Sequence, residues 1–277
     1  MGGFFRFCYI CCKIALIAAV SVKEETVHAA TVYRLTKTYG SRFGGLSTRA
    51  LFDVSFEVEG GEFVAVMGPS GSGKTTLLNM LALIDRPDSG TVSIGGRDIA
   101  GLSGDALSSF RLKTIGFVFQ DSSLLDTLTL GENIALPLAL NRLSVQEIVS
   151  RSNEIAEALG ISDILGKYPA EVSGGEKQRA AAARALVTEP AILLADEPTG
   201  ALDSRSSRDL LERFYALNRK RKTTIFMVSH DPYAASWADR VLFLSDGCLV
   251  TEIRSGGDRR VFFDRVMEVQ SAMEGRF

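Results

Sequence analysis

Long apolar runs, paired cysteines and an excess of either charge are all scarce in this sequence. Its 277 residues carry 31 Lys and Arg against 33 Asp and Glu, a net charge of -2. Without a basic stripe no nucleic-acid partner is expected, and the cluster Arg219-Lys220-Arg221-Lys222 reads as a solvated turn ahead of a strand. Of four cysteines, Cys8, Cys11 and Cys12 crowd the N-terminus and Cys248 stands alone. No second Cys or His pair lies at ligand spacing, which argues against a metal site at the C-x-x-C-C cluster. Reduced thiols, as in a cytosolic protein, are the expectation. The first apolar segment, residues 4–22, is broken by Arg6 and Lys13, so only 14–22 runs free of charge. A bilayer span takes about 20 apolar residues. Basic residues ahead of an apolar core, with Ala18-Ala19 near its end, resemble a weak signal peptide. Three readings stay open, in this order: a non-native extension from an upstream start, a membrane-surface anchor, and a disordered tail. No other segment is long and apolar enough to cross a membrane, so no transport path is expected from this chain alone.

What the sequence does contain is more specific. Gly68-Pro69-Ser70-Gly71-Ser72-Gly73-Lys74-Thr75 fits the phosphate-binding pattern G-x-x-x-x-G-K-[ST]. An apolar run at 63–67 reads as the strand before it, and Thr76-Leu77-Leu78-Asn79-Met80-Leu81 opens a helix after it. Glycines let such a loop fold back so that backbone N–H groups converge on one anion, and the helix adds its positive end. Lys74 is expected to reach the outer phosphates of ATP, and the Thr75 hydroxyl to take a place on Mg²⁺. A lone glycine pattern could be a plain turn. Agreement of strand, loop, Lys-Thr and helix points to a nucleotide instead.

A second signal lies at Ile192-Leu193-Leu194-Ala195-Asp196-Glu197, where an apolar strand ends in two carboxylates. Ligands collect at the C-terminal edge of parallel sheets. Asp196 is placed to hold Mg²⁺ and Glu197 to polarise the water that attacks the γ-phosphate. Between these landmarks, strands are expected at 31–35, 51–58, 91–94, 115–120, 191–195, 223–228 and 240–244. In 51–58, Phe52, Val54, Phe56 and Val58 alternate with polar residues. Helices are expected where Val145, Ile148, Val149, Ile155, Ala156 and Leu159 recur, at the Ala-rich stretch 178–187, and at 204–218 with Ser204 as N-cap. Strands alternating with helices imply a mostly parallel sheet. Ser173-Gly174-Gly175-Glu176 precedes the Ala-rich helix and offers a second set of bare N–H groups. That is either an anion site or a flexible cap, and two phosphate cradles in one chain make sense if two copies share nucleotides.

With these motifs in order, residues 31–255 resemble the ATP-binding subunit of an ABC transporter. The resemblance implies an α/β fold of the P-loop ATPase class, a mostly parallel sheet with an antiparallel β-subdomain and a helical insert over about 121–188. Residues 1–29 are then an extension, 30–255 the ATP-binding domain and 256–277 a helical tail. It implies ATP bound by residues 68–76 (Thr76 included), by Tyr39 stacking on adenine, and by Gln120, which also touches Mg²⁺. His230 contacts the γ-phosphate, and Ser173, Gly174, Gly175 and Glu176 cap the nucleotide of the partner subunit in a head-to-tail homodimer. Asp203 communicates across that dimer. Glu176 stands where the family usually has Gln, which adds a negative charge near the partner's nucleotide. Asp196-Glu197-Pro198-Thr199-Gly200-Ala201-Leu202-Asp203-Ser204 is similar to the lipoprotein-release, macrolide-export and cell-division subgroup. Within it, Phe119-Gln120-Asp121, residues 124–129 and residues 256–264 look most like bacitracin-export ATPases that confer peptide-antibiotic resistance. The implied partner is an integral-membrane permease, with the chain peripheral on the cytoplasmic face. Leu124, Leu125, Leu128 and Leu130 either form a groove for a permease helix or pack inside the insert. Related soluble ATPases of DNA repair or translation usually carry tandem domains, a coiled coil or basic surfaces, and this sequence has none. A non-catalytic scaffold would normally lack Glu197 or His230.

Overall fold

The computed structural model describes residues 28–40 and 47–275, so the expectations for the N-terminal segment, with Cys8, Cys11 and Cys12, lie outside the described residues. In chain order come β1 (His28–Tyr39), β2 (Thr48–Glu59), β3 (Phe63–Met67), α1 (Lys74–Leu81), β4 (Ser89–Ile94) and β5 (Arg97–Asp98). There follow α2 (Gly104–Thr114), β6 (Ile115–Val118), α3 (Leu130–Leu140), α4 (Val145–Ala158), α5 (Gly174–Leu186) and β7 (Ile192–Asp196). The chain continues through α6 (Ser204–Arg221), β8 (Ile225–Val228), the short α7 (Pro232–Ala235), β9 (Arg240–Ser245), β10 (Cys248–Arg254) and α8 (Arg259–Glu274). One sheet is antiparallel, in the order β2-β1-β4-β5. The other has the order β10-β9-β3-β8-β7-β6 and is parallel except for β10.

Every residue of β3 is buried because this strand lies inside the parallel sheet with a core on each face. Phe63, Ala65 and Met67 point into the core built with Ile134, Leu159 and Phe214. Val64 and Val66 point into the opposite core with Leu77, Leu81 and Val92. Burial on both faces is why the parallel strands read as unbroken apolar runs.

Departures from the sequence reading have local causes. Leu51 is buried and Phe52 is 45% exposed, so the simple alternation fails at the start of β2. The register between β1 and β2 shifts on either side of Leu35, and Arg34 (φ 50) and Asp53 (φ 51) take left-handed conformations. These are β-bulges, each of which turns the next side chain over. Arg34 Nε donates to Asp53 Oδ1 at 3.0 Å, and Arg49 covers the outward Phe52 ring at 3.9 Å. In α4, Val145 and Val149 are exposed. The buried stripe is Ser152, Ile155 and Ala156 with Ile148 partly covered, which follows the i, i+4, i+7 spacing from Ile148. β6 ends at Val118, so Gln120 lies beyond the strand it was expected to end. Asp203, not Ser204, caps α6: its Oδ1 accepts from the N–H groups of Arg205 and Ser206 at 2.9 and 3.0 Å. Leu130 is fully buried and Leu124 packs on the same core, which leaves Leu125, 46% exposed, as the outward member of that leucine group. Among the described residues no helix is long and apolar enough to cross a membrane.

The two sheets are joined by Arg240, whose side chain is 6% exposed. Its guanidinium donates to both Glu62 carboxylate oxygens at 2.9 and 3.0 Å, to Glu252 at 2.9 Å and to the Glu57 carbonyl of β2. Removing one partner of a buried ion pair strands the other. Arg240→Ala is therefore expected to lower stability by about 3 kcal/mol in urea unfolding, whereas removal of the exposed Arg254–Glu252 contact changes it by under about 1 kcal/mol.

Candidate functional site

The loop between β3 and α1 closes over the C-terminal edge of the parallel sheet. Gly73 (φ 100) is the N-cap of α1. A Cβ there would lie 2.3 Å from the Ala50 carbonyl, so only glycine lets the loop and β2 approach this closely. The first N–H groups of α1 have no acceptor within the helix and face the loop. Ser72 Oγ is buried without a hydrogen-bond partner. Lys74 Nζ donates to the Gly68 and Pro69 carbonyls at 2.9 and 2.8 Å, spanning the loop, while Ser70, Gly71 and Thr75 are exposed. Burial pulls the Lys74 ammonium below its ordinary pKa, and the charges of Glu197 and Asp196 oppose that shift.

β7 delivers the acidic pair. Burial and the neighbouring Glu197 raise the Asp196 carboxyl, and Lys74 opposes the rise. Glu197 follows at φ 44, a conformation that costs of order 1–3 kcal/mol for a residue with a side chain. Its N–H donates to the Val228 carbonyl at 3.0 Å. Its carboxylate Oε2 lies 3.0 Å from His230 Nδ1, on the turn after β8. A pocket of about 470 Å³ opens beside this pair, lined by Thr199, Leu202, Arg208 and Asp231 as well. Met273 of α8 lines a small gap against Gly68, Pro69 and His230, so the C-terminal helix supports the same edge.

Gln120 is brought to this edge from the far side of the sheet, because a Cβ on Gly200 would lie 3.0 Å from Gln120 Nε2. The segment around it is fastened by α5. Gln178 Nε2 donates to the Phe119 carbonyl at 2.7 Å, and Arg184 donates to the carbonyls of Ser123 and Ser122 at 2.8 and 3.2 Å. The sequence reading missed Gln178, although a glutamine on the buried face of an alanine-rich helix was a usable signal. Tyr39 ends β1, 43% exposed, with its hydroxyl donating to Asp85 Oδ2 at 2.9 Å. Burial and that bond raise its pKa.

The Ser173 turn packs on a different neighbour, the start of α6. Ser173 caps α5, and Glu176 completes a capping box: its Oε2 accepts from Ser173 N–H at 2.8 Å and from Ser173 Oγ at 2.6 Å, and Glu176 N–H donates to Ser173 Oγ at 3.3 Å. Those bonds, the hydroxyl's first, hold the Glu176 carboxyl below its usual range. A Cβ on Gly175 would lie 2.7 Å from Ser206 Oγ and 2.8 Å from Ser206 Cβ. Ser206 Oγ in turn donates to Asp203 Oδ2 at 2.7 Å, and this bond is the largest cause lowering the Asp203 pKa.

The donor set fits a divalent cation shared with a substrate. Asp196 and Glu197 against one ammonium leave excess negative charge, but among the described residues no group of three or more His, Cys, Asp or Glu could hold a metal unaided. Mg²⁺ held by few protein ligands and by substrate phosphates matches that pattern.

A family model described as ABC transporter matches residues 51–200, which include the phosphate loop, the Ser173 turn and the acidic strand. The chain belongs to this family. It is 50% identical over 244 residues to the ABC transporter ATP-binding protein YxdL of Bacillus subtilis, covering 88% of this chain and 94% of that protein. Identity is 47% over 240 residues to the bacitracin export ATP-binding protein BceA of Halalkalibacterium halodurans, covering 86% and 94%. The dimeric post-hydrolysis structure of the ATP-binding cassette MJ0796 bound to ADP and Pi superposes with a TM-score of 0.75 at 36% identity, covering 83% of this chain and all of that one. This ABC protein is thus an ATP-hydrolysing, ATP-binding subunit of a transporter. The Gly175–Ser206 contact yields a test of the Ser173 turn. Gly175→Ala is expected to cost about 1–3 kcal/mol, and Gly175→Ala with Ser206→Gly to cost less than the two single losses summed in denaturant titrations.

Proposed function

We propose that two copies of this chain hydrolyse ATP at their shared interface and drive a separate integral-membrane permease from the cytoplasmic face, in export of peptide antibiotics of the bacitracin kind. The observation that carries the ATPase chemistry is the Glu197–His230 pair at 3.0 Å beside Lys74. Lys74 and the N–H groups of 68–76 bind the phosphates. Tyr39 stacks on the base. Thr75, Asp196 and Gln120 would hold Mg²⁺, which would supply positive charge to offset that of the phosphates. Glu197 accepts a proton from the attacking water while its carboxylate is oriented by His230, and His230 contacts the γ-phosphate. Ser173, Gly174, Gly175 and Glu176 complete the pocket of the other copy, and Asp203 links the two sites through Ser206. The dimeric state of the MJ0796 cassette supports the pairing, and the similarity to BceA supports the cargo.

Glu197→Gln keeps the side chain's shape and removes the proton acceptor. ATP binding should persist while turnover falls about 100-fold or more. Turnover at the wild-type rate would remove Glu197 from the chemistry. Glu176→Gln keeps the capping box and removes one charge facing the partner's nucleotide. ATP-dependent dimerisation should tighten about fivefold, the Coulomb scale of about 1 kcal/mol across solvent, measured by light scattering against ATP concentration.

A further inference from the structure

Tyr39 is held by a network of charged groups. Its hydroxyl donates to Asp85 Oδ2. The other Asp85 oxygen accepts from Lys37 Nζ at 2.9 Å. The same ammonium donates to the Arg86 carbonyl at 2.7 Å and lies 5.2 Å from the centroid of the Tyr39 ring. Lys37 is 11% exposed at its side chain, so its charge is located by these partners and not by solvent. Thr38 N–H donates to Asp88 Oδ2 at 2.7 Å, and Asp88 N–H donates to the Thr36 carbonyl at 3.0 Å. The end of β1 is thereby pinned to residues 85–88.

Those residues follow α1 directly, and Ile84 N–H folds back to the Asn79 carbonyl at 3.0 Å. One helix therefore has the phosphate loop at its beginning and, just past its end, the carboxylate that fixes the aromatic ring. An exposed ring free to rotate must be ordered when a base stacks on it, which weakens binding by about two- to tenfold. A ring whose hydroxyl is already bound and whose face lies near a fixed cation does not incur that loss.

We propose that Asp85 and Lys37 are positioning residues for the nucleotide base, holding the Tyr39 phenol as a pre-set platform on which a purine stacks. This rests on the reading of Tyr39 as the base-stacking residue. A purely structural fastening of β1 to α1 would alter stability and leave base recognition untouched. The two accounts separate when a ligand with a base is compared with one without.

The experiment titrates the full chain with ATP and, separately, with tripolyphosphate. Asp85→Asn and Tyr39→Phe each preserve side-chain shape and are expected to weaken ATP about three- to fivefold, with the double variant no weaker than either single one. Tripolyphosphate affinity should not change. In steady-state hydrolysis Asp85→Asn should raise KM for ATP and retain kcat at saturation. Lys37→Met carries the same expectation if Asp85→Asn does not fold. Tyr39→Ala should weaken ATP roughly tenfold or more, the scale for losing one stacked base. If Tyr39→Ala binds ATP as the wild type does, the base-stacking reading falls and the proposal with it. If Tyr39→Ala weakens ATP but Asp85→Asn and Tyr39→Phe do not, the positioning role alone is overturned. The same holds if the two losses add or if tripolyphosphate weakens in parallel.

Discussion

Lys74 is held at a largely buried sheet edge, where the charges of Asp196 and Glu197 offset the cost of removing its ammonium from water. Burial pulls the Lys74 ammonium down and pushes the Asp196 carboxyl up. The attraction between the Lys74 ammonium and the Asp196 carboxylate opposes both shifts. The parallel sheet makes this arrangement possible because β3 and β7 both end at the same edge, separated only by β8. Cores on both faces leave those strands no freedom to slide, so the charged ends stay aligned.

The same edge concentrates backbone conformations that are unfavourable on their own. Glu197 is left-handed, and Gly73 touches the Ala50 carbonyl. The first is disfavoured for a residue with a side chain, and the second leaves no room for one. They persist because Val228, Ala50 and the core beneath over-determine them. The Ser173 turn follows the opposite rule. Its conformation is favourable by itself, through the reciprocal bonds of Ser173 and Glu176, and its demand on the fold is for space beside Ser206. A surface built from a satisfied helix cap can be offered to a second copy without first being refolded.

The chemistry was easier to read from the sequence than the geometry that supports it. The phosphate loop and the acidic strand are contiguous, and their residue types follow directly from binding an anion and a cation. Gln120 and Tyr39 were named only through a family resemblance, because neither sits in a pattern that physics alone would single out. The contacts that fasten them, from Asp85 to Tyr39 and Lys37 and from Gln178 and Arg184 to the segment around Gln120, span 46 to 62 positions of sequence, and no local period records such distances. Phe52 was placed on the wrong face because a bulge leaves no mark in an alternating pattern. Ser204 was named as a cap in place of Asp203 because adjacent residues of similar capping propensity differ only in backbone conformation.

The paired bulges in β1 and β2 have a consequence of their own. The extra residue near Arg34 advances one strand, the extra residue near Phe52 advances its neighbour, and the first offset cancels the second before Lys37 meets Leu51. Losing either irregularity alone would leave the strands out of phase by one residue from that point on, and a half-period slip presents the opposite face of every side chain downstream. The placement of Tyr39 at the end of β1 thus depends on two offsetting bulges, set on facing strands and joined by the Arg34–Asp53 bridge, and on the further shift between Lys37 and Thr38.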